Sequence, residues 1–468
     1  MSFTELIFAP FAIVTYLVFF LLRKHPAAQI ILLLLASYIF YGWWKVTFLW
    51  LILFSSALDF FIGQAIAATA DRSRKKLYLA VSLIGNLGLL GYFKYANFFI
   101  QSANDMLAAV GLSPDWPVLN IVLPVGISFY TFQSLSYSLD IYYGRIEPEK
   151  SFPRFFFFVA AFPQLVAGPI VRAREFLPQL RENLFVRSDD SGLFYVLYGL
   201  FKKIMIADLL GFYLVDSVFA TPQEHSSAAL LLGLYAYAFQ IFLDFSAYSD
   251  IAIGLGRIFG LTLPVNFRSP YLAQSPTEFW HRWHITLSTW LRDYLYIPLG
   301  GNRVGPLRHA ANLMIVMLLG GLWHGANWTF VIWGLLHGMY LVAHKIMPAQ
   351  RAPGMARGIL NRLFFFHLIC LTWIFFRAQD FAAAGAYLRG LAAMDWSVSG
   401  IPVLSVGLLL SVAWLFHDLV EPRLEMIARR FQALPWWVQG VTFYAFFVGV
   451  SMLNQKGAAH QAFIYFQF

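Results

Sequence analysis

Long apolar stretches recur along this chain of 468 residues from one end to the other. A helix needs about 20 mostly apolar residues to cross the roughly 30 Å hydrocarbon core of a bilayer, and most of these stretches approach that length. We therefore predict an all-α polytopic membrane protein. About 10–12 transmembrane or re-entrant helices are expected, near residues 4–22, 27–44, 46–68, 77–99, 118–138, 152–171, 192–219, 228–260, 310–344, 359–376, 402–420 and 437–454.

The composition excludes several classes of protein. Hydrophobic residues make up 59% of the chain and charged residues 12%, whereas soluble globular domains have about 45–50% and about 25%. An ordinary soluble enzyme, a disordered tail and a collagenous rod are therefore ruled out. The single cysteine, Cys370, excludes an internal disulfide and any cysteine-based zinc or iron–sulfur site.

The net charge of +9 is divided among short basic clusters between apolar stretches, such as Arg23-Lys24, 72–76 and 172–187. This distribution is typical of the positive-inside bias of multi-pass membrane proteins. Because the basic residues form no continuous stripe, no nucleic-acid partner is predicted. Placing the first two clusters in the cytoplasm puts the N-terminus outside. No basic residue precedes the first apolar stretch, so we expect a retained span and no cleaved signal peptide. We predict a single membrane-embedded domain over 1–468.

Polar groups or helix breakers at membrane depth occur in three apolar stretches, 123–140, 162–172 and 239–250. Such groups are costly in lipid and usually face a cavity or a partner, which favours a polar interior passage. The alternative is that they join helices together. In the third stretch, Gln240 and Asp244 are candidate site residues, although Asp244 and Tyr248 are spaced to pair on one helix face.

Residues 275–301 contain the first of two histidine segments. Ser275 followed by Pro276 and Glu278 predicts a helix N-terminus, and we expect one amphipathic helix at the membrane interface with His284 at the edge of its apolar face. Glu278, His281 and His284 step by three, as metal ligands on a helix can. Because no second cluster of carboxylates and histidines accompanies them, no metal is predicted.

Residues 309–344 contain the second histidine segment, without Asp, Glu, Lys or Arg between its ends. His324 lies near mid-membrane if the segment is one helix, and the glycines around it let other backbone or substrate approach. A neutral imidazole is the usual general base near physiological pH. The alternative, a hydrogen-bonded packing residue, stays open. His309 and His344 are expected at the interfaces, and His337 is expected to be structural.

At these segments the chain resembles the membrane-bound O-acyltransferase family, in its bacterial polysaccharide O-acetylation branch, which is related to the D-alanyl-lipoteichoic acid membrane transferase. The matching stretches are LPVGISFYTFQSLSYSLDIY, AFPQLVAGPIVR, FWHRWHITLSTWLRDYLYIPLGGNR, GGLWHGANWTFVIWGLLHG and the terminal FIYFQF. The resemblance implies helices ringed around a thin central funnel that is open to both membrane faces. It also implies acyl transfer from a cytoplasmic donor to an acceptor outside. The invariant histidine of the family falls on His324 and its second active-site position on His284.

The resemblance therefore implies an acetyltransferase of a bacterial inner membrane that serves a secreted exopolysaccharide of the alginate or cellulose type. The expected donor is acetyl-CoA, with no bound cofactor. The expected partners are membrane lipid, a periplasmic serine-esterase-like acetyltransferase and the polysaccharide synthesis and export complex. His324 is the expected base, His284 would orient the donor carbonyl or stabilise its charge, and Asn327 would donate to an oxyanion, with Trp323 in support. A transporter or export channel and a scaffold for a periplasmic enzyme are the alternatives.

Overall fold

The structure is a computed structural model that describes residues 1–112, 116–347, 354–398, 400, 402–455 and 463–464. The chain divides into two compact units. The first comprises Met1–Gly192 and Leu255–Pro264, and the second comprises Leu193–Gly254 and Val265–Phe468. The single domain over 1–468 stays a prediction.

The first unit is built from helices and short irregular connections among its described residues. Its helices are α1 Phe8–Leu21, α2 Pro26–Lys45, α3 Leu49–Ala68, α4 Arg72–Leu90, α5 Ala96–Ala109, α6 Ile127–Tyr142, α7 Phe152–Ala160 and α8 Ala173–Phe176. A wider π-type turn over Gly91–Tyr95 joins α4 to α5.

The second unit contains most of the later helices. In chain order these are α9 Ser191–Phe201, α10 Asp208–Leu210, α11 Asp216–Ala220, α12 Ser227–Ile258, α13 Pro276–Trp280, α14 Ile285–Leu291, α15 Pro306–His324, α16 Trp328–Ile346, α17 Met355–Arg377, α18 Phe381–Ala392, α19 Val403–Leu415, α20 Leu424–Gln432 and α21 Trp436–Gln455. Helix α9 begins in the first unit and α12 ends there. Further π-type turns occur at Lys202–Ala207, Gly211–Val215, Arg292–Tyr296 and Phe416–Val420.

Five helical segments among the described residues are long and apolar enough to cross a membrane, which confirms the all-α polytopic membrane protein. They are Pro26–Ala68, Arg72–Ala109, Ser227–Ile258, Met355–Arg377 and Val403–Gln432. The count of 10–12 spans and the central funnel stay predictions.

The stretch 152–171 is helical only in its first half. Helix α7 ends at Ala160, and residues 161–172 follow as a buried, non-helical segment. Its backbone is tied to the helices, since Phe162 N–H donates to Ser37 Oγ at 3.1 Å. Irregular backbone is tolerated at depth where protein surrounds it, and the proline and glycine residues of 162–172 explain the break.

Two serines of the stretch 123–140 that suggested a polar passage, Ser134 and Ser138, join helices together. Asp59 of α3 is fully buried and accepts hydrogen bonds from Ser82 and Asn86 of α4 and from Ser134 and Ser138 of α6. Hydrogen bonds from several donors compensate the cost of burying a carboxylate. In the first unit, these polar groups therefore hold α3, α4 and α6 together.

Candidate functional site

The segment that carries His324 is a helical hairpin. Helix α15 ends at His324, residues 325–327 form a turn, and α16 starts at Trp328. The placement of His324 at mid-membrane required one continuous helix, and this condition is not met. Glycines bring the two helices together, because a Cβ at Gly321 would overlap the carbonyl oxygen of Phe330. His324 thus lies beside the turn of a closely packed hairpin.

We expect Gly321→Ala to separate α15 from α16 and to disturb His324. The new methyl group has no room at the Phe330 carbonyl, and overpacking of this kind costs about 1–3 kcal/mol. Gly320→Ala is the matched control, since its Cβ would meet only Leu291 at 3.4 Å. Thermal unfolding of the purified protein should show a lower midpoint for Gly321→Ala alone. Equal midpoints for the two variants would contradict the close packing.

The segment that carries His284 is also interrupted. Helix α13 is capped as expected, with Ser275 Oγ accepting from Glu278 N–H at 3.2 Å, but it ends at Trp280. Helix α14 starts at Ile285 after His284, which has a left-handed backbone (φ 42°). The single amphipathic helix over 275–301 is therefore wrong. A non-glycine residue with positive φ is uncommon and marks a constrained site.

The hairpin and the interrupted helix bring the two predicted histidines together. The ring centroids of His284 and His324 are 6.4 Å apart, and both residues are buried in the second unit. Trp323 contacts both rings, at 5.1 Å from His324 and 5.8 Å from His284. Phe245 of α12 lies 4.7 Å from the His284 ring. A reacting group between the two imidazoles would be surrounded by aromatic walls that keep water away.

His324 is enclosed on its other sides by rings from two further helices. Trp333 of α16 and Phe376 of α17 lie 5.1 and 5.2 Å from it, both edge-on. All of these side chains are nearly inaccessible to solvent. Dense packing of this kind fixes the orientation of the imidazole, as a preorganised catalytic group requires.

His284 is held by Asn266 from the segment that follows α12. Its Nδ1 lies 3.2 Å from Asn266 Oδ1, and the same oxygen accepts from Thr286 N–H and Oγ1–H. Burial lowers the pKa of His284 to about 3. The imidazole is therefore neutral at physiological pH.

Asn327 has a structural role in the turn of the hairpin. Its Oδ1 accepts from Thr329 N–H at 3.0 Å and so caps α16, while its Nδ2 donates to the Gln379 carbonyl at 2.7 Å. A side chain engaged in this way is a helix N-cap. Its expected role as an oxyanion donor stays a prediction.

Asp244 lies in a buried ion cluster and not in an open passage. Lys203 Nζ is 2.6 Å from Asp244 and 2.7 Å from Asp208, so the partner of Asp244 is Lys203 and the proposed pair with Tyr248 is not needed. Ile464 N–H donates to the other Asp244 oxygen at 2.8 Å. Gln240, one turn earlier on α12, is also buried. Of the predicted site residues, His284, His324 and Trp323 meet, whereas Asp244 contributes to packing.

The three candidate metal ligands of the first histidine segment do not converge. Glu278 pairs with Arg282 at 2.9 Å, His281 is exposed, and His284 is buried. In the described part of the chain, no group of three or more His, Cys, Asp or Glu side chains is arranged to hold a metal ion.

Two features of the site are missing from the sequence-based prediction. Asn266 lies 18 residues before His284 in an irregular segment, and nothing in its local pattern marks it as a partner. Buried partners of Lys202 and Lys203 could have been predicted from the sequence, because two charged residues in the apolar stretch 192–219 require such partners.

Comparison with known proteins identifies the family of this chain. The sequence model of the membrane-bound O-acyltransferase (MBOAT) family matches residues 148–379, a range that includes His284 and His324. The chain is 42% identical over 374 residues to the probable alginate O-acetylase AlgI of Azotobacter vinelandii, covering 79% of this chain and 74% of that protein. It is 38% identical over 425 residues to the peptidoglycan O-acetyltransferase of Helicobacter pylori, covering 84% and 80%. It is 25% identical over 331 residues to the teichoic acid D-alanyltransferase of Bacillus subtilis, covering 63% and 82%. The chain therefore belongs to the membrane-bound O-acyltransferase family and is a multi-pass membrane enzyme of that family.

Proposed function

We propose that this enzyme moves acetyl groups from acetyl-CoA in the cytoplasm to an acceptor on the outer side of the bacterial inner membrane, for O-acetylation of a secreted polysaccharide of the alginate type. The observation that carries the proposal is the pair of buried histidines, 6.4 Å apart, in a chain similar to a probable alginate O-acetylase over most of its length. The N-terminus is proposed to be periplasmic.

His324 is the proposed general base. It takes the proton of the acceptor hydroxyl, the hydroxyl oxygen attacks the acetyl carbonyl carbon, and the carbon–sulfur bond of the thioester breaks. The proton then passes to the departing sulfur, so CoA leaves as a thiol. A hydroxyl is a weak nucleophile until a base removes its proton, and this assistance contributes typically 10²–10⁴-fold. Aromatic walls around His324 would protect the thioester from water.

His284 is the proposed second polar group of the reaction. At 6.4 Å between ring centroids, one small reacting group can lie within hydrogen-bond reach of both imidazoles. Trp323 supports the arrangement by packing against both rings. The direct acceptor is a sugar hydroxyl or a serine of a periplasmic serine-esterase-like partner that works with the polysaccharide synthesis and export complex.

A transporter, an export channel or a scaffold is less well supported. The channel interpretation depended on the polar side chains of 123–140 and 239–250. Ser134 and Ser138 donate to Asp59, and Asp244 pairs with Lys203, so these groups serve packing. A scaffold has no need for two buried histidines in contact with the same tryptophan.

Release of CoA thiol tests this proposal. Membrane vesicles from cells that make the polysaccharide are supplied with acetyl-CoA on the cytoplasmic face, and thiol and acetyl ester are measured together. We expect equal amounts of both, and neither in vesicles without this chain. Acetyl ester formed without release of CoA thiol would contradict acetyl-CoA as the donor.

A further inference from the structure

Asn266 contacts His284 through its side chain and the next residue, Ile285, through its backbone. The backbone carbonyl of Asn266 accepts from Ile285 N–H at 2.9 Å, and Arg268 N–H donates to the Arg282 carbonyl at 2.9 Å. These two bonds lie on either side of His284 and hold it in its left-handed conformation. Because that conformation is sparsely populated, the surrounding structure must enforce it. Residues 266–268 therefore clamp the chain around this histidine.

The orientation of the Asn266 amide follows from an unambiguous donor. A backbone N–H can only donate, and Thr286 N–H points at Oδ1 at 3.2 Å. On the other side, Nδ2 donates to Ser249 Oγ of α12 at 3.3 Å. The group that faces His284 Nδ1 at 3.2 Å is therefore an oxygen that accepts. Since an amide oxygen has no proton to give, Nδ1 must carry the proton of this hydrogen bond.

We propose that Asn266 is a positioning residue that holds His284 in the Nδ1–H tautomer, so that Nε2 offers its lone pair to the reaction. The proposal rests on the function proposed above and deepens it. The hydrogen bond made by one ring nitrogen sets the chemistry of the other. Burial of His284, which is inaccessible to solvent, keeps the ring in this neutral form.

This tautomer defines what His284 can do. A neutral imidazole protonated at Nδ1 accepts a hydrogen bond or a proton at Nε2 and cannot donate from it. His284 therefore does not stabilise an oxyanion by donation, which the sequence had suggested as one of its roles. It instead accepts, so it orients the acceptor hydroxyl or receives a proton beside His324.

The tautomer is tested directly by ¹⁵N NMR of the full-length protein with ¹⁵N-labelled histidine in lipid. The His284 signals are identified by their loss in the His284→Gln chain. We expect a protonated, pyrrole-type Nδ1 and an unprotonated, pyridine-type Nε2. The opposite assignment, or a doubly protonated ring at neutral pH, would overturn the proposal. This readout does not depend on acetyl transfer, so it separates failure of the tautomer from failure of the proposed function.

Kinetics of Asn266 variants test the consequence for catalysis. Asn266→Leu removes the accepting oxygen, and we expect kcat per inserted protein to fall about 10- to 100-fold, the range seen when the hydrogen-bond partner of a metal-ligating histidine is removed. KM for acetyl-CoA should be nearly unchanged. Asn266→Asp keeps an accepting oxygen and should restore most of kcat. An unchanged kcat in Asn266→Leu would refute the positioning role.

Asn312→Leu is the matched control for loss of a buried amide. Asn312 is as buried as Asn266, and its Nδ2 donates to the Leu299 and Gly301 carbonyls, away from the histidines. We expect less inserted protein but an unchanged kcat per inserted molecule. A fall in kcat equal to that of Asn266→Leu would show that loss of any buried amide lowers kcat to the same extent, and would overturn the proposal.

Discussion

Replacing His324 by alanine is expected to lower the rate of acetyl transfer about 10²- to 10⁴-fold, the usual contribution of a general base. The reason is that the acceptor hydroxyl then keeps its proton, while the aromatic walls around the site remain. The measurement is the initial rate of CoA thiol release in membrane vesicles, normalised to the amount of inserted protein. KM for acetyl-CoA should change much less than kcat, because the base acts in the chemical step.

His344→Ala is the control for this variant. His344 lies on the same hairpin, near the end of α16, and its side chain is exposed. We expect wild-type rates from it. If His324→Ala also retained the wild-type rate, His324 would have no part in the mechanism.

Lys203→Met is expected to lower the stability of the protein strongly. This change leaves Asp208 and Asp244 buried without their cation, and breaking a buried ion pair from one side costs about 3–5 kcal/mol. Much less folded protein should be recovered from the membrane, and the thermal midpoint of the purified fraction should fall. Both carboxylates are almost inaccessible to solvent, so water cannot replace the lysine.

Arg429→Met gives the matched comparison with an exposed ion pair. Arg429 and Glu425 pair at 3.0 Å with more than half of each side chain exposed, and such pairs contribute about 0–1 kcal/mol. We expect its midpoint to match that of the wild type. A Lys203→Met midpoint equal to that of Arg429→Met would mean that the buried cluster does not stabilise the second unit.

Several parts of the structure follow from local sequence patterns. The apolar stretch near 228–260 becomes α12, Ser275 caps α13, and the prolines and glycine of 162–172 interrupt the helix. Each of these depends on neighbours within a few residues, so apolar length, capping residues and helix breakers are sufficient. The two histidine segments, 275–301 and 309–344, could likewise be identified from the residues within each segment.

The geometry of the site depends on contacts between distant residues, which local patterns do not contain. The turn after His324 is an exception, because Gly325 at the end of α15 and Asn327 at the N-cap of α16 are local signals for it. A left-handed backbone at His284 is unfavourable in isolation and exists because Asn266 supports it from another segment. Likewise Lys203 and Asp244 are 41 residues apart, so their pairing follows only from the packing of the π-type turn Lys202–Ala207 against α12.

Acetyl ester on the secreted polysaccharide, measured by NMR, tests the central claim most directly. Three strains are compared: one with the intact gene, one with a deletion, and one in which His324→Ala replaces the wild-type chain at equal membrane levels. We expect full acetylation in the first strain, none in the deletion strain, and about one hundredth of the wild-type level or less in the His324→Ala strain. If the deletion strain lost the ester while the His324→Ala strain kept it, this chain would be a conduit or scaffold, and the chemistry would take place in another protein.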